Sequence, residues 1–178
     1  MIFEIPYNEK TTRSQAKLLF DLHWKSLLKK NNVNLYIGLI LILLGISIVV
    51  GQDNLGYIFV AGGIHYLINF VNYLFYYRKT KKKYFDLIDE NIAEYLLNDE
   101  MNVWQLLEDC FCYTDFKLDL KIKWNAFKTV KVIDDIMILE ISSNVASNFI
   151  LEKHEVGNEN FEKIIAFVET KIKRDGIL

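Results

Sequence analysis

Two long stretches of the chain contain no charged residue. Asp, Glu, Lys and Arg are absent from Asn31 to Gln52, a run of 22 residues, and from Asn54 to Tyr77, a run of 24 residues. A helix rises about 1.5 Å per residue, so about 20 apolar residues cross the roughly 30 Å of hydrocarbon in a bilayer. Each run therefore predicts a transmembrane helix. Two buried helices of a soluble core are the alternative, but uncharged runs of this length are rare in soluble proteins of this size.

Basic residues flank both runs on one side of the predicted hairpin. They precede the first run and follow the second, whereas the Gln52-Asp53-Asn54 turn has none. They are Lys25, Lys29 and Lys30 before the first run, and Arg78, Lys79, Lys81, Lys82 and Lys83 after the second. The positive-inside rule then predicts a multi-pass protein of the cytoplasmic (inner) membrane with cytoplasmic N and C termini. About 30 polar and amphipathic residues precede the first run, so no cleaved signal peptide is expected.

The formal charge is divided unevenly along the chain. Residues 1–83 carry a net charge of +7 and residues 84–178 a net charge of −9. The anionic cytoplasmic leaflet attracts juxtamembrane lysines and arginines, so the cluster of Arg78, Lys79, Lys81, Lys82 and Lys83 is a candidate contact for anionic lipid headgroups. The same cluster also serves as an ordinary topology signal. Nucleic-acid binding is excluded, because the acidic C-terminal part lacks a clustered basic surface.

The residues before the first run predict a strand and a helix. Ile2 to Tyr7 alternates weakly and reads as a short edge strand, and Thr12 with Gln15 resembles a capping box. Apolar residues then recur at helical spacing as far as Lys30, which predicts an amphipathic helix that leads into the first span. Two placements of this helix stay open: on the membrane surface with its Trp at the interface, or against the globular domain. A weaker hypothesis places the N-terminal strand in the C-terminal sheet.

The residues after the second run predict a helical stalk, a set of strands and a final helix. The helical pattern ends near Asn98, and a two-residue alternation of apolar and polar side chains replaces it. The predicted strands are Val103 to Glu108, Cys110 to Thr114, Leu118 to Trp124, Phe127 to Ile133, Ile136 to Ser142 and Asn148 to Lys153, with an Asp134-Asp135 hairpin turn. The last helix is expected to be capped by Asn158 and to end at Gly176.

These elements predict a membrane protein of the α+β class, a two-helix transmembrane hairpin with a cytoplasmic antiparallel β domain closed by a C-terminal helix. The predicted parts are an N-terminal strand and amphipathic helix at 1–32, the transmembrane hairpin at 33–77 with spans at about 33–51 and 55–77, a basic juncture and stalk helix at 78–98, and a cytoplasmic domain at 99–178.

The order of these elements resembles the YcxB-like family of small bacterial membrane proteins. The resemblance lies in KIKWNAFKTVKVIDDIMILEIS, FILEKHEV and FEKIIAFVETKI. In that family a Trp, here Trp124, opens a turn before a strand, and a segment with an Ile-Pro-Lys-Arg pattern leads to the last helix. Here Glu152 replaces the proline of that segment and His154 replaces the arginine. The resemblance implies a pleckstrin-homology-like (PH-like) cytoplasmic domain, and the family has no agreed activity.

The sequence offers little support for catalysis, a cofactor or a metal. His23, His65 and His154 fall on different predicted elements without metal-ligand spacing, and no phosphate-binding glycine loop or nucleophile motif occurs. Cys110 and Cys112 point to one side of a predicted strand, where neighbours two apart are poorly placed to form a disulfide. We interpret both as small, largely buried apolar residues, since cytoplasmic thiols stay reduced. We therefore expect a non-enzymatic protein without a cofactor.

Polar side chains form one stripe on the second predicted span. His65, Asn69 and Asn72 follow helical spacing, and polar groups that face lipid lose hydrogen bonds. The stripe is therefore expected to face the first span or another copy of the protein. Candidate partners in the first span are Ser47, Tyr36 and Asn34, with Gly38 and Gly45 allowing close approach. The stripe is interpreted either as a proton- or ligand-responsive site or as hydrogen-bonding contacts between helices.

Taken together, the sequence predicts a membrane-anchored, non-enzymatic protein whose C-terminal domain is an interaction or regulatory module. Its expected partners are the bilayer, through anionic headgroups at the basic juncture, and a protein partner or a further copy of itself. The alternative is an oligomeric small transporter or channel subunit, because two spans enclose a pore only after oligomerising.

Overall fold

The computed structural model describes residues 1–98, 101–141 and 148–172. The chain divides into two compact units. Lys10–Ile92 forms the first, which we call the helical unit, and Met1–Glu9 together with Ala93–Leu178 forms the second, which we call the sheet unit. The α+β class is confirmed, since the chain has two long apolar helices and two small antiparallel sheets. The residues before Lys10 group with the C-terminal part of the chain.

The two predicted spans lie in two long helices, α1 (Glu9–Val50) and α2 (Gly56–Asn98). Each is long and apolar enough to cross a membrane, judged by length and composition. In the most apolar part of each helix, only 11% of the residues of α1 and 6% of those of α2 are buried. A core helix of a soluble protein would be mostly buried, so this exposure argues against the soluble alternative.

Helix α1 is continuous from the N-terminal region through the first apolar run. No glycine or proline occurs between Glu9 and Gly38, so nothing in this stretch breaks the helix. The helix begins three residues before Thr12. The predicted capping box of Thr12 and Gln15 is therefore wrong, because both residues lie inside the helix.

A short turn joins the two long helices, as predicted. Gln52 has a positive φ of 65° there. The Asp53 carboxylate accepts a hydrogen bond from the backbone N–H of Leu55 at 2.9 Å, which stabilises the turn before α2 begins. The turn makes α1 and α2 antiparallel neighbours.

Glycines bring the backbones of α1 and α2 into contact at two points. A Cβ built on Gly56 would lie 2.5 Å from the carbonyl oxygen of Gly45, and one built on Gly63 would lie 2.7 Å from that of Gly38. The two pairs are seven residues apart along each helix, the repeat of a left-handed helix pair. Gly38 and Gly45 therefore allow close approach, as predicted, and their partners are the glycines of α2.

The same seven-residue step continues along both helices in the direction away from the turn that joins them. The Asn31 side-chain amide donates to the carbonyl oxygen of Phe70 at 3.2 Å. One step further, the ring centroids of Trp24 and Tyr77 lie 5.1 Å apart with their planes at 69°. These contacts fix which residues of α1 and α2 lie at the same level along the helix pair.

The apolar face of the predicted amphipathic helix packs against α2. Phe20 and Trp24 are 4% and 5% exposed. The ring centroid of Phe20 lies 5.7 Å from that of Tyr77, 5.3 Å from that of Tyr84 and 5.7 Å from that of Phe85. Neither placement proposed from the sequence, the membrane surface or the globular domain, names α2 as the partner, and both stay predictions. The partner is the segment of α2 from Tyr73 to Phe85, which covers the aromatic face of α1.

Seven strands form the two sheets of the sheet unit within the described residues. The first sheet has the order β1 (Ile2–Ile5), β2 (Asn102–Leu106), β3 (Cys110–Thr114) and β4 (Asp119–Lys123), and the second has the order β5 (Phe127–Ile133), β6 (Ile136–Ile141) and β7 (Phe149–Glu152). All neighbouring strands are antiparallel. The predicted strands are confirmed to within two residues where they fall on described residues, and the Asp134-Asp135 hairpin turn is present, with Asp134 at a φ of 52°.

Strand β1 belongs to the same sheet as the C-terminal strands. Ile2 pairs with Gln105 and Ile5 with Asn102, and the backbone N–H of Leu106 donates to the carbonyl oxygen of Met1 at 2.8 Å. The hypothesis that the N-terminal strand joins the C-terminal sheet is thus confirmed. Both long helices consequently lie in the connection between two adjacent strands of one sheet.

The last helix covers the apolar core of the sheet unit. Strand β7 leads through the short helix α3 (Lys153–Val156) to α4 (Asn158–Lys171), which buries Phe161, Ile164 and Val168 among residues of both sheets. Gly157 occupies the N-cap position with a φ of 80°, so the expected cap at Asn158 is wrong. The expected end of the helix at Gly176 lies outside the described residues.

Candidate functional site

The polar stripe lies on the exposed face of α2. His65, Asn69 and Asn72 are all exposed in the single chain. His65 Nε2 and Asn69 Nδ2 lie 3.0 Å apart, so these two side chains hydrogen-bond along the helix. The Asn72 side chain forms no hydrogen bond within the part of the chain that the structure describes. The stripe therefore keeps unused donors and acceptors on the outside of the helix pair.

The expectation that the stripe faces the first span is wrong, because the side chains proposed as partners bind elsewhere. The Ser47 hydroxyl donates to the carbonyl oxygen of Leu43 in its own helix at 2.9 Å. The Asn34 amide donates to Asn31 Oδ1 at 3.2 Å, and Tyr36 is 62% exposed. The contact face of α2 is occupied by glycines and aromatic rings, so the polar stripe is turned away from α1. Of the two expectations, a contact with another copy stays a prediction.

The basic juncture forms an exposed cluster on α2. The side chains of Arg78, Lys79, Lys81, Lys82 and Lys83 are exposed, and none of them forms an ion pair with a described residue. The cluster follows the aromatic contacts that Trp24 makes with Tyr73, Tyr76 and Tyr77, whose ring centroids lie 5.9, 5.9 and 5.1 Å from that of Trp24. Aromatic rings beside free basic side chains are typical of the headgroup region of a membrane protein.

The helix register aligns the basic residues of α1 with this aromatic group. The Asn31–Phe70 hydrogen bond and the Trp24–Tyr77 contact bracket Lys25, Lys29 and Lys30 of α1. These lysines therefore lie level with the part of α2 between Phe70 and Tyr77. The last uncharged residues of α2 are consequently level with charged residues of α1, which the sequence of α2 alone did not indicate.

A cluster of tyrosines surrounds one carboxylate in the sheet unit. Tyr95, in the last turns of α2, donates to Asp115 Oδ2 at 2.5 Å, and Tyr113 at the end of β3 donates to the same oxygen at 2.8 Å. The backbone N–H groups of Lys117 and Leu118 each donate to Asp115 Oδ1 at 2.7 Å. Asp115 thus accepts four hydrogen bonds and ties the end of α2 to the first sheet.

Aromatic packing adds to this connection. The ring of Tyr7, which follows β1, stacks on that of Tyr95 with centroids 4.8 Å apart and planes 6° from parallel. Phe116 approaches the Tyr95 ring edge-on at 4.6 Å. Glu94 also forms an ion pair with Lys117. The ring of Tyr95 is thereby held between the residues that follow β1 and those that follow β3.

Burial and hydrogen bonding shift the pKa values of these groups in opposite directions. Burial, together with the hydrogen bond to Asp115, raises the pKa of Tyr95 to about 12. Burial and the neighbouring Tyr95 raise the pKa of Tyr113 as well. Burial alone would raise the pKa of Asp115, but the hydrogen bonds that its carboxylate accepts outweigh this effect and lower the pKa. At neutral pH the cluster therefore holds two phenols and one carboxylate.

An open cleft of about 720 Å³ lies beside the turn between β2 and β3. Its lining residues are Leu107, Glu108, Asp109, Cys110, Lys121, Lys123, Trp124, Asn125 and Lys171. Lys171 is paired with Glu108, and the indole N–H of Trp124 donates to the carbonyl oxygen of Leu107 at 3.0 Å. Lys121 and Lys123 are exposed and form no ion pair within the described ranges. The cleft thus offers two unpaired cations beside a buried indole.

The thiols and imidazoles form no larger group. Cys110 and Cys112 are free, and their sulfur atoms lie 4.0 Å apart on one side of β3, as the strand alternation predicted. Burial and the neighbouring Cys110 raise the pKa of Cys112, which disfavours a reactive thiolate. His23 lies on α1 and His154 on α3. Among the described residues, no group of three or more His, Cys, Asp and Glu side chains lies close enough to hold a metal ion.

Sequence reasoning missed the Tyr95–Asp115 cluster and the cleft. Tyr95 carries a helical apolar pattern in the sequence, and nothing in its spacing indicates a carboxylate partner 20 residues later. The cleft did leave a signal, since Lys121 and Lys123 alternate with apolar residues on one strand and must share its solvent face.

The chain matches no family model, no curated protein and no solved structure.

Proposed function

We propose that the protein is a non-enzymatic, membrane-anchored module whose sheet unit binds a protein partner and so regulates a process at the cytoplasmic membrane. One observation carries the proposal: β1 and β2 are paired strands of one sheet, although the whole helical hairpin lies between them in the sequence. The hairpin is therefore an insertion in the sheet unit. The chain leaves the sheet unit after β1 and returns to it before β2. A movement of the hairpin would act on two adjacent strands at once.

The sheet unit supports a PH-like assignment of the YcxB-like type. Its antiparallel sheets of four and three strands, with a C-terminal helix that covers the core, are the features that support the PH-like part of the proposal. Trp124 opens a 3₁₀ turn (Trp124–Ala126) directly before β5, at the place where the family resemblance puts a turn. In this proposal, the connection between the first two strands of the domain carries the membrane anchor.

The insertion of the hairpin into the membrane, with both flanks in the cytoplasm, is supported by the exposed apolar surface of α1 and α2 and by the free basic cluster on α2. Cysteine labelling tests it, with Cys110 and Cys112 first replaced by Ser. A membrane-impermeant maleimide is expected to label Asp53→Cys in intact cells and Lys82→Cys only after permeabilisation. The opposite pattern would overturn the orientation, and release of the chain by carbonate washing would overturn insertion.

The cleft is the surface that we propose for the protein partner. Lys121 and Lys123 are free cations on the solvent face of β4, so they suit an acidic segment of that partner. The test is affinity capture of the tagged full-length chain from gently solubilised membranes, followed by mass spectrometry. A stoichiometric partner is expected with the native chain and with the control Lys128→Glu, an exposed lysine outside the cleft, and is expected to be lost with Lys121→Glu plus Lys123→Glu.

The second candidate function is an oligomeric transporter or channel subunit. The observation that favours it is the exposed polar stripe, because polar side chains on the outside of a helix pair line a pathway once several copies surround it. Ion flux through vesicles that contain the purified chain, together with a complex of more than two copies, would favour this function over the anchored module. Vesicles that stay impermeable would count against it.

A further inference from the structure

We propose that two copies of the chain associate in the membrane through the stripe on α2, side by side and in parallel. This inference rests on the proposed insertion of the hairpin. The contact surface consists of Ile58, Gly62, His65, Asn69 and Asn72, whose spacings alternate between four and three residues. That alternation is the seam of a left-handed helix pair. Helix α2 therefore carries two seams, one that α1 covers and one that is exposed.

Gly62 gives an independent indication that the second seam accepts another helix. A Cβ on the neighbouring Gly63 would lie 2.6 Å from Ile42 Cγ1, so α1 requires that glycine. A Cβ on Gly62 would meet only Leu41 Cδ1, at 3.8 Å, so the contact with α1 does not require a glycine there. Small residues on a membrane helix let a second backbone approach closely. Gly62 offers such an approach on the exposed side.

The polar side chains of the seam need partners once they are in lipid. An asparagine or histidine that faces hydrocarbon loses the hydrogen bonds that water would supply. The side chain of Asn72 has no hydrogen-bond partner among the described residues. The single hydrogen bond between His65 and Asn69 uses only some of the donors and acceptors of these two side chains. A second helix that covers the seam would satisfy the remaining donors and acceptors.

The side chains of the seam favour α2 of a second copy of the chain, instead of a foreign helix, as the helix that covers it. All copies insert with the same orientation, so two α2 helices related by a two-fold axis along the membrane normal run in parallel. In a parallel pair each seam residue meets its own equivalent, as asparagines do at the seam of parallel coiled coils. An amide and a neutral imidazole each carry a donor and an acceptor, so each pairs with its own copy. The seam contains no Asp, Glu, Lys or Arg side chain whose charge a foreign partner would have to neutralise.

Disulfide cross-linking in native membranes tests the proposal, in a chain with Cys110 and Cys112 replaced by Ser. Ile58→Cys lies on the seam, and Ile64→Cys, its matched control, is exposed on a neighbouring stripe of α2. Mild oxidation is expected to yield a cross-linked dimer with Ile58→Cys and little with Ile64→Cys. Equal yields at the two positions, or an adduct of Ile58→Cys with a different protein, would overturn the proposal.

Removal of the side-chain amides of Asn69 and Asn72 provides a second test of the dimer. Asn69→Leu plus Asn72→Leu, added to Ile58→Cys, is expected to raise the dimer dissociation constant by about tenfold, whereas the matched pair Ile68→Leu plus Val71→Leu leaves it unchanged. An unchanged constant for the asparagine variant would overturn the proposal. Carbonate washing of the same membranes separates the two proposals: a chain that stays in the membrane without cross-linking refutes only the dimer, and a released chain refutes insertion and the dimer together.

Discussion

Gly38 and Gly63 bring the backbones of α1 and α2 together. A Cβ placed on Gly63 would lie 2.7 Å from the carbonyl oxygen of Gly38, closer than any side chain tolerates. The neighbouring Gly62, one residue earlier on the same helix, has room for a Cβ. Two adjacent glycines of α2 thus differ in whether the packing of the hairpin needs them.

Gly63→Ala is therefore expected to destabilise the helix pair. Overpacking costs about 1–3 kcal/mol, and the better helix propensity of alanine returns about 1 kcal/mol of that cost. Gly62→Ala, the control, gains propensity without a clash within the hairpin and is expected to leave the stability of the monomeric chain unchanged or slightly raised. Denaturant titration of the full-length chain in mild detergent, followed by the far-ultraviolet circular dichroism of its helices, measures both. Equal midpoints for the two variants would contradict the close backbone contact.

The strands and the class of the fold were predictable because their signals are local. The alternation from Leu118 to Trp124 and the turn at Asp134 depend on neighbouring residues only, and both are present in the structure to within one residue. The two long helices were equally predictable, because a long run without charged residues is itself a local signal for a helix that can span a membrane. What the sequence did not define is which face of each helix meets a partner.

The partners were not predictable because they depend on contacts between distant residues. His65, Asn69 and Asn72 form a clear stripe, but the sequence does not say that Gly56 and Gly63 occupy the contact with α1 and turn the stripe outward. The covering of Trp24 by α2 follows from the register of the whole hairpin. Such pairings are settled by packing, for which a single sequence carries only an indirect signal.

Tyr95→Phe is expected to weaken the sheet unit. The substitution keeps the ring that stacks on Tyr7 and removes the hydrogen bond to the Asp115 carboxylate. A hydrogen bond to a charged group contributes about 1.5–3 kcal/mol, which corresponds to a fall in melting temperature of roughly 6–24 °C for a domain of this size. Thermal unfolding followed by tryptophan fluorescence measures the change. Tyr36→Phe is the control, because Tyr36 is 62% exposed, and an equal shift in that variant would contradict the role of the hydrogen bond.

Asp115 is expected to make the stability of the sheet unit sensitive to acid. Its pKa in the folded protein is lowered from the ordinary value near 4, because the carboxylate accepts hydrogen bonds from two tyrosines and two backbone amides. A lowered folded pKa contributes stability that is present above the unfolded pKa and is lost as the pH falls through the folded pKa. The unfolding free energy is therefore expected to fall below about pH 4.

Melting temperatures between pH 7 and pH 3 measure this effect. Asp115→Asn is expected to be less stable than the native chain at neutral pH and to lose less stability on acidification. Glu162→Gln, which alters an exposed carboxylate on α4, serves as the control and is expected to follow the native chain. An Asp115→Asn variant with the native acid dependence would show that another carboxylate is responsible.

Strand β1 provides a test of the arrangement on which the proposed function depends. Ile5 is 3% exposed and belongs to the core of the sheet unit, whereas Ile2 of the same strand is 63% exposed. Loss of a buried isoleucine side chain costs about 2–5 kcal/mol, and a surface substitution costs less than about 0.5 kcal/mol. Ile5→Ala is therefore expected to lower the unfolding free energy of the sheet unit strongly, and Ile2→Ala to leave it nearly unchanged. Both are measured by denaturant titration with tryptophan fluorescence. Similar small effects of the two would mean that the sheet is complete without β1, and the hairpin would then be a leading segment instead of an insertion between two strands.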